Sequence, residues 1–323
     1  MNSKISIALK GAAMGMAEVV PGVSGGTIAF VTGIYEQLLN SITAVDPKLI
    51  GVFKKGGVKA VWEKVQGPFL LNLLVGMAAG LIFGVFAITY LLEAYPPVIW
   101  AFFFGLILAS VWYIGRMVKP WSIGPIVAIA VGFGIALSIV MGSPAQGTTS
   151  LWFVFLSGAI AISALLLPGI SGSFILLLLG MYSYVVPSVK SALSGGGTDA
   201  YMVVIVFALG CLTGLVTFSR VLSWLFKKFP QLTLALLTGF MLGSLYKLWP
   251  WREVTSYLLG PDGKRILDKE GVAKVLTEVP VSPVRYFEVT QEPSYLIASI
   301  VAAIVGVVLI YGLSRVEKGA DVE

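Results

Sequence analysis

Residues 8–42 and 155–189 match each other without a gap at an offset of 147, and each copy carries Pro-Gly-x-Ser-Gly inside an apolar stretch. Gly11 falls on Gly158, Pro21-Gly22 on Pro168-Gly169, Ser24-Gly25 on Ser171-Gly172, and Gly33 and Tyr35 on Gly180 and Tyr182. The segments that follow match at an offset of 134: Gly76 and Gly80 fall on Gly210 and Gly214, Pro96 on Pro230, and Gly105 and Ser110 on Gly239 and Ser244. The change of offset is one deletion of 13 residues, in the loop after the broken element. A duplication of this kind confines the chain to two copies of one unit. The helix breakers narrow the choice further, because backbone groups freed by Pro-Gly inside lipid must be buried in protein or line a wet cavity.

Composition makes lipid the solvent. The chain is 57% hydrophobic with a mean hydropathy of +0.93, and only 12% of its 323 residues are charged, about half the share in soluble domains. A helix needs about 20 apolar residues to cross the hydrocarbon core. Segments 68–92, 98–115, 122–141, 200–226, 231–248 and 294–313 meet that need. The stretches 8–42 and 153–189 are too interrupted by Gly and Pro, and read as re-entrant helical hairpins or broken helix pairs. Lys4 and Lys10 precede an apolar run as in a signal peptide, but Glu18 and Pro21 interrupt it and no small-residue cleavage site follows, so it reads as mature sequence.

The lysines and arginines set the topology. With a cytoplasmic N-terminus and both broken stretches returning to the side they enter from, Lys48, Lys54, Lys55, Lys59 and Lys64 fall inside. So do Arg116, Lys119, Arg220, Lys227, Lys228, Arg315 and Lys318. The outside connections 93–97 and 142–151 carry no Lys or Arg, and the long 249–293 loop, mixed in charge, is extracytoplasmic. Both termini are then cytoplasmic. The expected fold is an all-α polytopic membrane protein. Unit 1–150 is one re-entrant broken-helix hairpin plus three transmembrane helices, and unit 151–323 repeats it. Three spans is an odd number, so the second unit is inverted relative to the first. Inverted repeats with paired interrupted helices are the usual build of secondary transporters, with the substrate where the broken elements meet.

The local chemistry fits an anion. In Pro21-Gly22-Val23-Ser24-Gly25-Gly26-Thr27 and Pro168-Gly169-Ile170-Ser171-Gly172-Ser173, Pro ends one helix, Gly allows close approach, and Ser or Thr caps the next. Bare N–H groups and hydroxyls at such a helix start suit phosphate or carboxylate. The plain alternative is a tight turn; two copies facing each other favour binding. Glu18 is an ionisable group at membrane depth, a candidate to carry a coupling proton or else a packing carboxylate; its counterpart is Leu165, so the fold does not require it. Arg220, whose counterpart is Phe86, is a candidate partner for a phosphate oxygen or for Glu18, or an arginine snorkelling to the interface. Histidine is absent and Cys211 is the single cysteine, which removes the Ser-His-Asp triad, disulfides and thiolate metal sites. Gly22-Val23-Ser24-Gly25-Gly26 satisfies the G-x-S-x-G pattern of hydrolases, but without His only a Lys or carboxylate could act as base, no Lys lies mid-span, and Ser173 breaks the pattern in the second copy. No catalytic residue, metal, cofactor or nucleic-acid partner is expected.

The run from Met14-Gly15-Met16-Ala17-Glu18 through Glu36 resembles the PopT family of polyprenyl-phosphate transporters. Leu167-Pro168-Gly169-Ile170-Ser171-Gly172-Ser173-Phe174 resembles that family's internal repeat, and the likeness runs over essentially the whole chain. The resemblance implies a transporter in the bacterial plasma membrane that returns undecaprenyl phosphate, the lipid carrier of cell-wall synthesis, from the outer to the inner leaflet. The family pattern covers Glu18, Ser24, Gly25, Gly26, Thr27, Ser171, Gly172 and Ser173. On the residue chemistry above, the Ser24–Thr27 and Ser171–Ser173 segments hold the phosphate, Arg220 assists, and Glu18 couples to a proton, with sodium the other candidate ion. A carrier of a small anionic solute and an intramembrane hydrolase are the competing readings.

Overall fold

The computed structural model describes residues 4–20, 24–142, 147–257, 265 and 275–320, with backbone alone at 89, 276 and 313–320. Helices dominate. The first broken stretch contains α1 (Lys4–Glu18), α2 (Gly25–Val31) and α3 (Tyr35–Thr43), and is followed by α4 (Leu49–Lys64), α5 (Gly67–Ala94), α6 (Pro96–Gly115) and α7 (Ile123–Met141). The second contains α8 (Leu151–Leu166), α9 (Gly172–Leu178) and α10 (Tyr182–Leu193), followed by α11 (Thr198–Lys228) and α12 (Pro230–Leu248). A hairpin of β1 (Arg252–Tyr257) and β2 (Val275–Pro280), then α13 (Pro283–Thr290) and α14 (Leu296–Ala320), complete the order.

The breaks lie where proline places them. Proline fixes its own φ, lacks an N–H, and disfavours helix at the residue before it. Tyr95 and Phe229, each followed by proline, therefore end α5 and α11 with nearly the same backbone angles, φ −140°, ψ 52° and φ −136°, ψ 57°. The next helices begin on Pro96 and Pro230, the favoured first helical position.

Among the described residues, α5, α6, α7 and α11 are long and apolar enough to cross a membrane, and α9 with α10 forms a fifth candidate bent by 116°. The chain is thus a mostly helical, multi-pass membrane protein. The expected spans 231–248 and 294–313 also become helices, α12 and α14, although neither is among those four; the apolar part of α14, Leu296–Gly312, is shorter. The reason for α12 is its composition: its 19 residues include Thr233, Thr238, Ser244 and Lys247, and the three hydroxyl residues are buried against protein rather than lipid. The hydroxyls bond back to carbonyls of their own helix, Thr233 to Phe229 and Thr238 to Leu234.

Close glycine contacts hold the helices together, as expected where packing rather than hydrophobic exclusion drives association. A methyl group added at Gly76 would lie 2.0 Å from the Ala8 carbonyl oxygen, and one at Gly210 would lie 2.1 Å from that of Phe155. Gly80 on Ala12 and Gly214 on Ala159 repeat the pattern, so α5 packs on α1 as α11 packs on α8. Both partners keep the sequence offsets. A further correspondence is absent from the sequence match: Gly105 abuts Ala303 as Gly239 abuts Ile129, and Gly132 abuts Leu236 as Gly306 abuts Phe102. These contacts relate α7 to α14 at an offset of 174 and cross over, α14 packing on α6 and α7 on α12.

Two regions differ from expectation. Each broken stretch, expected as a re-entrant hairpin or a broken helix pair, is divided into three helical pieces. Gly33 and Gly180, at φ 70° and 68°, close the second piece of each, and the following N–H groups of Ile34 and Met181 reach back to the carbonyls of Ala29 and Leu176. The lysine-rich segment after the first stretch, expected as a loop, forms α4, with a non-helical Gly57 at φ 62°. In the 249–293 loop, Arg252 pairs with Glu278 and Arg285 with Glu253, while the indoles of Trp249 and Trp251 bond Val281 and Ser294 carbonyls and pin the hairpin to the helices.

Candidate functional site: the paired broken elements

The two Ser-Gly segments meet in the buried interior. Pro21, Gly22 and Val23 lie outside the described residues. Ser24, the N-cap of α2, is fully buried; its Oγ accepts from the Gly26 N–H at 3.1 Å and donates to the Leu165 carbonyl, across the duplication, at 3.0 Å. Thr27 Oγ1, also fully buried, accepts from the Gly169 N–H at 2.9 Å. Gly169 has φ +86°, a conformation that favours glycine. The Tyr35 hydroxyl donates to the Leu166 carbonyl. Three side chains of the first element therefore grip the chain just before the second element or at its start. Gly26 makes the contact possible, because a side chain there would begin 2.6 Å from the Leu165 oxygen.

The second element is less enclosed. Ser171, the N-cap of α9, makes no cap bond; its Oγ lies 2.9 Å from the Ser173 hydroxyl, and Ser173 is exposed. In both copies the glycine after the serine is pressed onto the preceding helix, Gly25 towards the Met14 carbonyl and Gly172 towards that of Ala161, the same pair at an offset of 147.

Glu18 and Arg220 are not brought together. The Glu18 carboxylate accepts from the Gly25 N–H at 2.6 Å, so it occupies the first N–H of α2. Arg220 is exposed, and its Nη2 donates to the Val45 carbonyl at 3.0 Å, beyond α3. Lys247 enters the site region unannounced by the sequence, where it counts only as one of the basic residues beside the 249–293 loop. Its Nζ lies 5.5 Å from the centre of the Phe174 ring, two residues after Gly172. The signal available was its position at the end of the span whose twin helix carries Tyr113 there.

These features define a class: a polytopic helical membrane protein in which two interrupted helices from duplicated units bind each other directly. Residues 14–266 match the VCA0040-like family, described as undecaprenyl phosphate translocase-like. The chain is 40% identical over 311 residues to the polyprenyl-phosphate transporter of Vibrio cholerae serotype O1, covering 96% of each chain. It is 33% identical over 258 residues to the polyprenyl-phosphate transporter of Staphylococcus aureus, covering 75% of this chain and 85% of that one. The chain belongs to the VCA0040-like family, a family of transporters and not of enzymes. No solved structure matches it.

Proposed function

We propose that this protein is a flippase-type transporter of polyprenyl phosphate. It returns undecaprenyl phosphate from the outer to the inner leaflet of the bacterial plasma membrane and so recycles the lipid carrier of cell-wall synthesis. Its two units, 1–150 and 151–323, are inverted repeats, and both termini are cytoplasmic. The observation that carries the reading is the hydrogen-bonded contact between the two broken elements: Ser24 on Leu165, Thr27 on Gly169 and Tyr35 on Leu166. A pair of interrupted helices that meet through hydroxyls and backbone N–H groups is a gate built of phosphate ligands.

In the mechanism, the described conformation is the closed one. Opening exchanges the bonds between the elements for bonds to the phosphate, so that Ser24, Gly25, Gly26 and Thr27 on one side and Ser171, Gly172 and Ser173 on the other take the oxyanion in turn. The prenyl tail stays in lipid. Glu18 competes with the phosphate for the Gly25 N–H, so protonation of Glu18 and occupation of the site are linked, which couples transport to protons. Arg220, at the α3–α11 contact, meets the phosphate as it leaves on the cytoplasmic side.

Reconstitution into proteoliposomes with a labelled polyprenyl phosphate tests the proposal. Protein-dependent exchange of the lipid between leaflets is expected. Exchange of a soluble anion with none of the lipid would reassign the protein as a small-anion carrier.

A further inference from the structure

A cavity of about 120 Å³ lies where the end of α7, α9, the end of α12 and the β1–β2 hairpin converge. That is room for several water molecules or one compact oxyanion. Its lining combines the apolar Val140, Met141, Leu177 and Leu178 with the charged Lys247, Arg252 and Glu278. The two cations differ in what they have left to offer. Arg252 is committed: its Nη1 donates to the Tyr246 and Lys247 carbonyls at 2.8 and 2.7 Å, and its Nε and Nη2 hold Glu278. It closes the end of α12 and neutralises the carboxylate.

Lys247 is only weakly committed, through a long ion pair with Glu278. Its side chain is 18% exposed, and the nearest carboxylate oxygen, Glu278 Oε2, is 3.9 Å away and already bonded by Arg252. Its Nζ also lies over the face of Phe174. An ammonium has three donors to satisfy, and a half-buried one left without hydrogen bonds is costly. The cavity wall therefore carries an excess positive charge beside an apolar surface, the pattern that an amphiphilic anion satisfies at both ends.

Position ties this cavity to the broken elements. Phe174, Leu177 and Leu178 belong to α9, whose other end is Gly172-Ser173. A seven-residue helix is about 10 Å long, and Phe174 in the cavity lining directly follows Ser173 in the chain. On the topology proposed above, the ends of α7 and α12 face outward.

We propose that this cavity is a phosphate-binding entry site, in which Lys247 takes the oxyanion over the Phe174 ring before Ser173 and Ser171 receive it. The inference rests on the transport reading for its direction but not for its chemistry.

Amine-reactive labelling of Lys247 in the purified full-length protein, read by mass spectrometry, tests it with three probes: inorganic phosphate, a polyprenyl phosphate, and the matching polyprenol. Saturating polyprenyl phosphate is expected to lower Lys247 labelling about fivefold or more while polyprenol leaves it unchanged. Protection by inorganic phosphate alone assigns the site to the free ion and overturns the entry role. Protection by neither phosphate, or equally by polyprenol, overturns the site. Lys247→Met should weaken polyprenyl phosphate binding about tenfold and Lys247→Arg should restore most of it; equal loss in both would make the residue structural. The two proposals fail separately. Normal leaflet exchange with an unprotected Lys247 sinks the entry site alone, and a protected Lys247 without any leaflet exchange sinks the transport reading alone.

Discussion

At Ser24 the protein takes both roles of the hydroxyl, donation to Leu165 and acceptance from Gly26, and no surface of the residue is exposed. At the matching Ser171 the hydroxyl has Ser173 as its side-chain partner among the described residues, and Ser173 is exposed. The contrast continues outward. Tyr35 is 2% exposed and bonded across the interface, whereas Tyr182 is 37% exposed; Glu18 occupies an N–H of α2, whereas its counterpart is Leu165. Two copies of one sequence element thus occupy one locked and one more open environment, although Ser171 is itself buried. A duplicated fold teaches through such differences. The glycine contacts, which the two units share, are the scaffold, and the hydroxyl contacts, which they do not, are the parts that change partners.

The largest effect tests the shared scaffold. Gly80→Leu and Gly214→Leu force a side chain onto the carbonyls of Ala12 and Ala159, at 2.0 and 2.3 Å from the added carbon. Each should cost about 3 kcal/mol or more and lower the melting temperature of the purified protein. Gly134→Leu, where an added Cβ meets no atom within 4 Å, should leave it nearly unchanged. A large loss in one unit only would break the equivalence.

Next comes the locked serine. Ser24→Ala leaves the Gly26 N–H and the Leu165 carbonyl buried without that partner and should destabilise by about 1–3 kcal/mol in denaturation, while Ser171→Ala should cost under about 1 kcal/mol. Equal losses would erase the distinction between locked and open. Tyr35→Phe against Tyr182→Phe sharpens it, with about 1 kcal/mol expected at the buried hydroxyl that holds Leu166 and less than about 0.5 kcal/mol at the exposed one. Among the site residues Glu18→Gln should change stability least, because it keeps an acceptor for the Gly25 N–H. Leaflet exchange by this variant should lose its pH dependence while lipid binding persists; an unchanged pH profile removes Glu18 from coupling.

Much of the architecture is legible in the residues themselves. Pro96 and Pro230 mark helix starts because a ring cannot accommodate the preceding helix, and the glycines at offsets 147 and 134 mark where helices touch because no side chain fits there. The residue register of α7 on α14 is not legible, although their order as the third spans of the two units implies that they correspond. Their side chains are interchangeable apolar ones, and only the crossed contacts of Gly105 with Ala303 and Gly239 with Ile129 reveal the register. Lys247 is hidden for a related reason: a lysine at the end of an apolar segment looks the same whether water or a cavity receives it.

The sequence by itself determined that this chain is a duplicated, lipid-embedded helical protein with one hydroxyl-bearing break in each unit. Composition and helix breakers act locally, and lipid leaves the backbone few alternatives. Tertiary structure alone decided which hydroxyls are occupied, that Arg220 sits on Val45 rather than on Glu18, and that Lys247 lies over Phe174. Those outcomes depend on which carbonyls and rings distant segments present to one another, and no residue carries that information until the helices have packed.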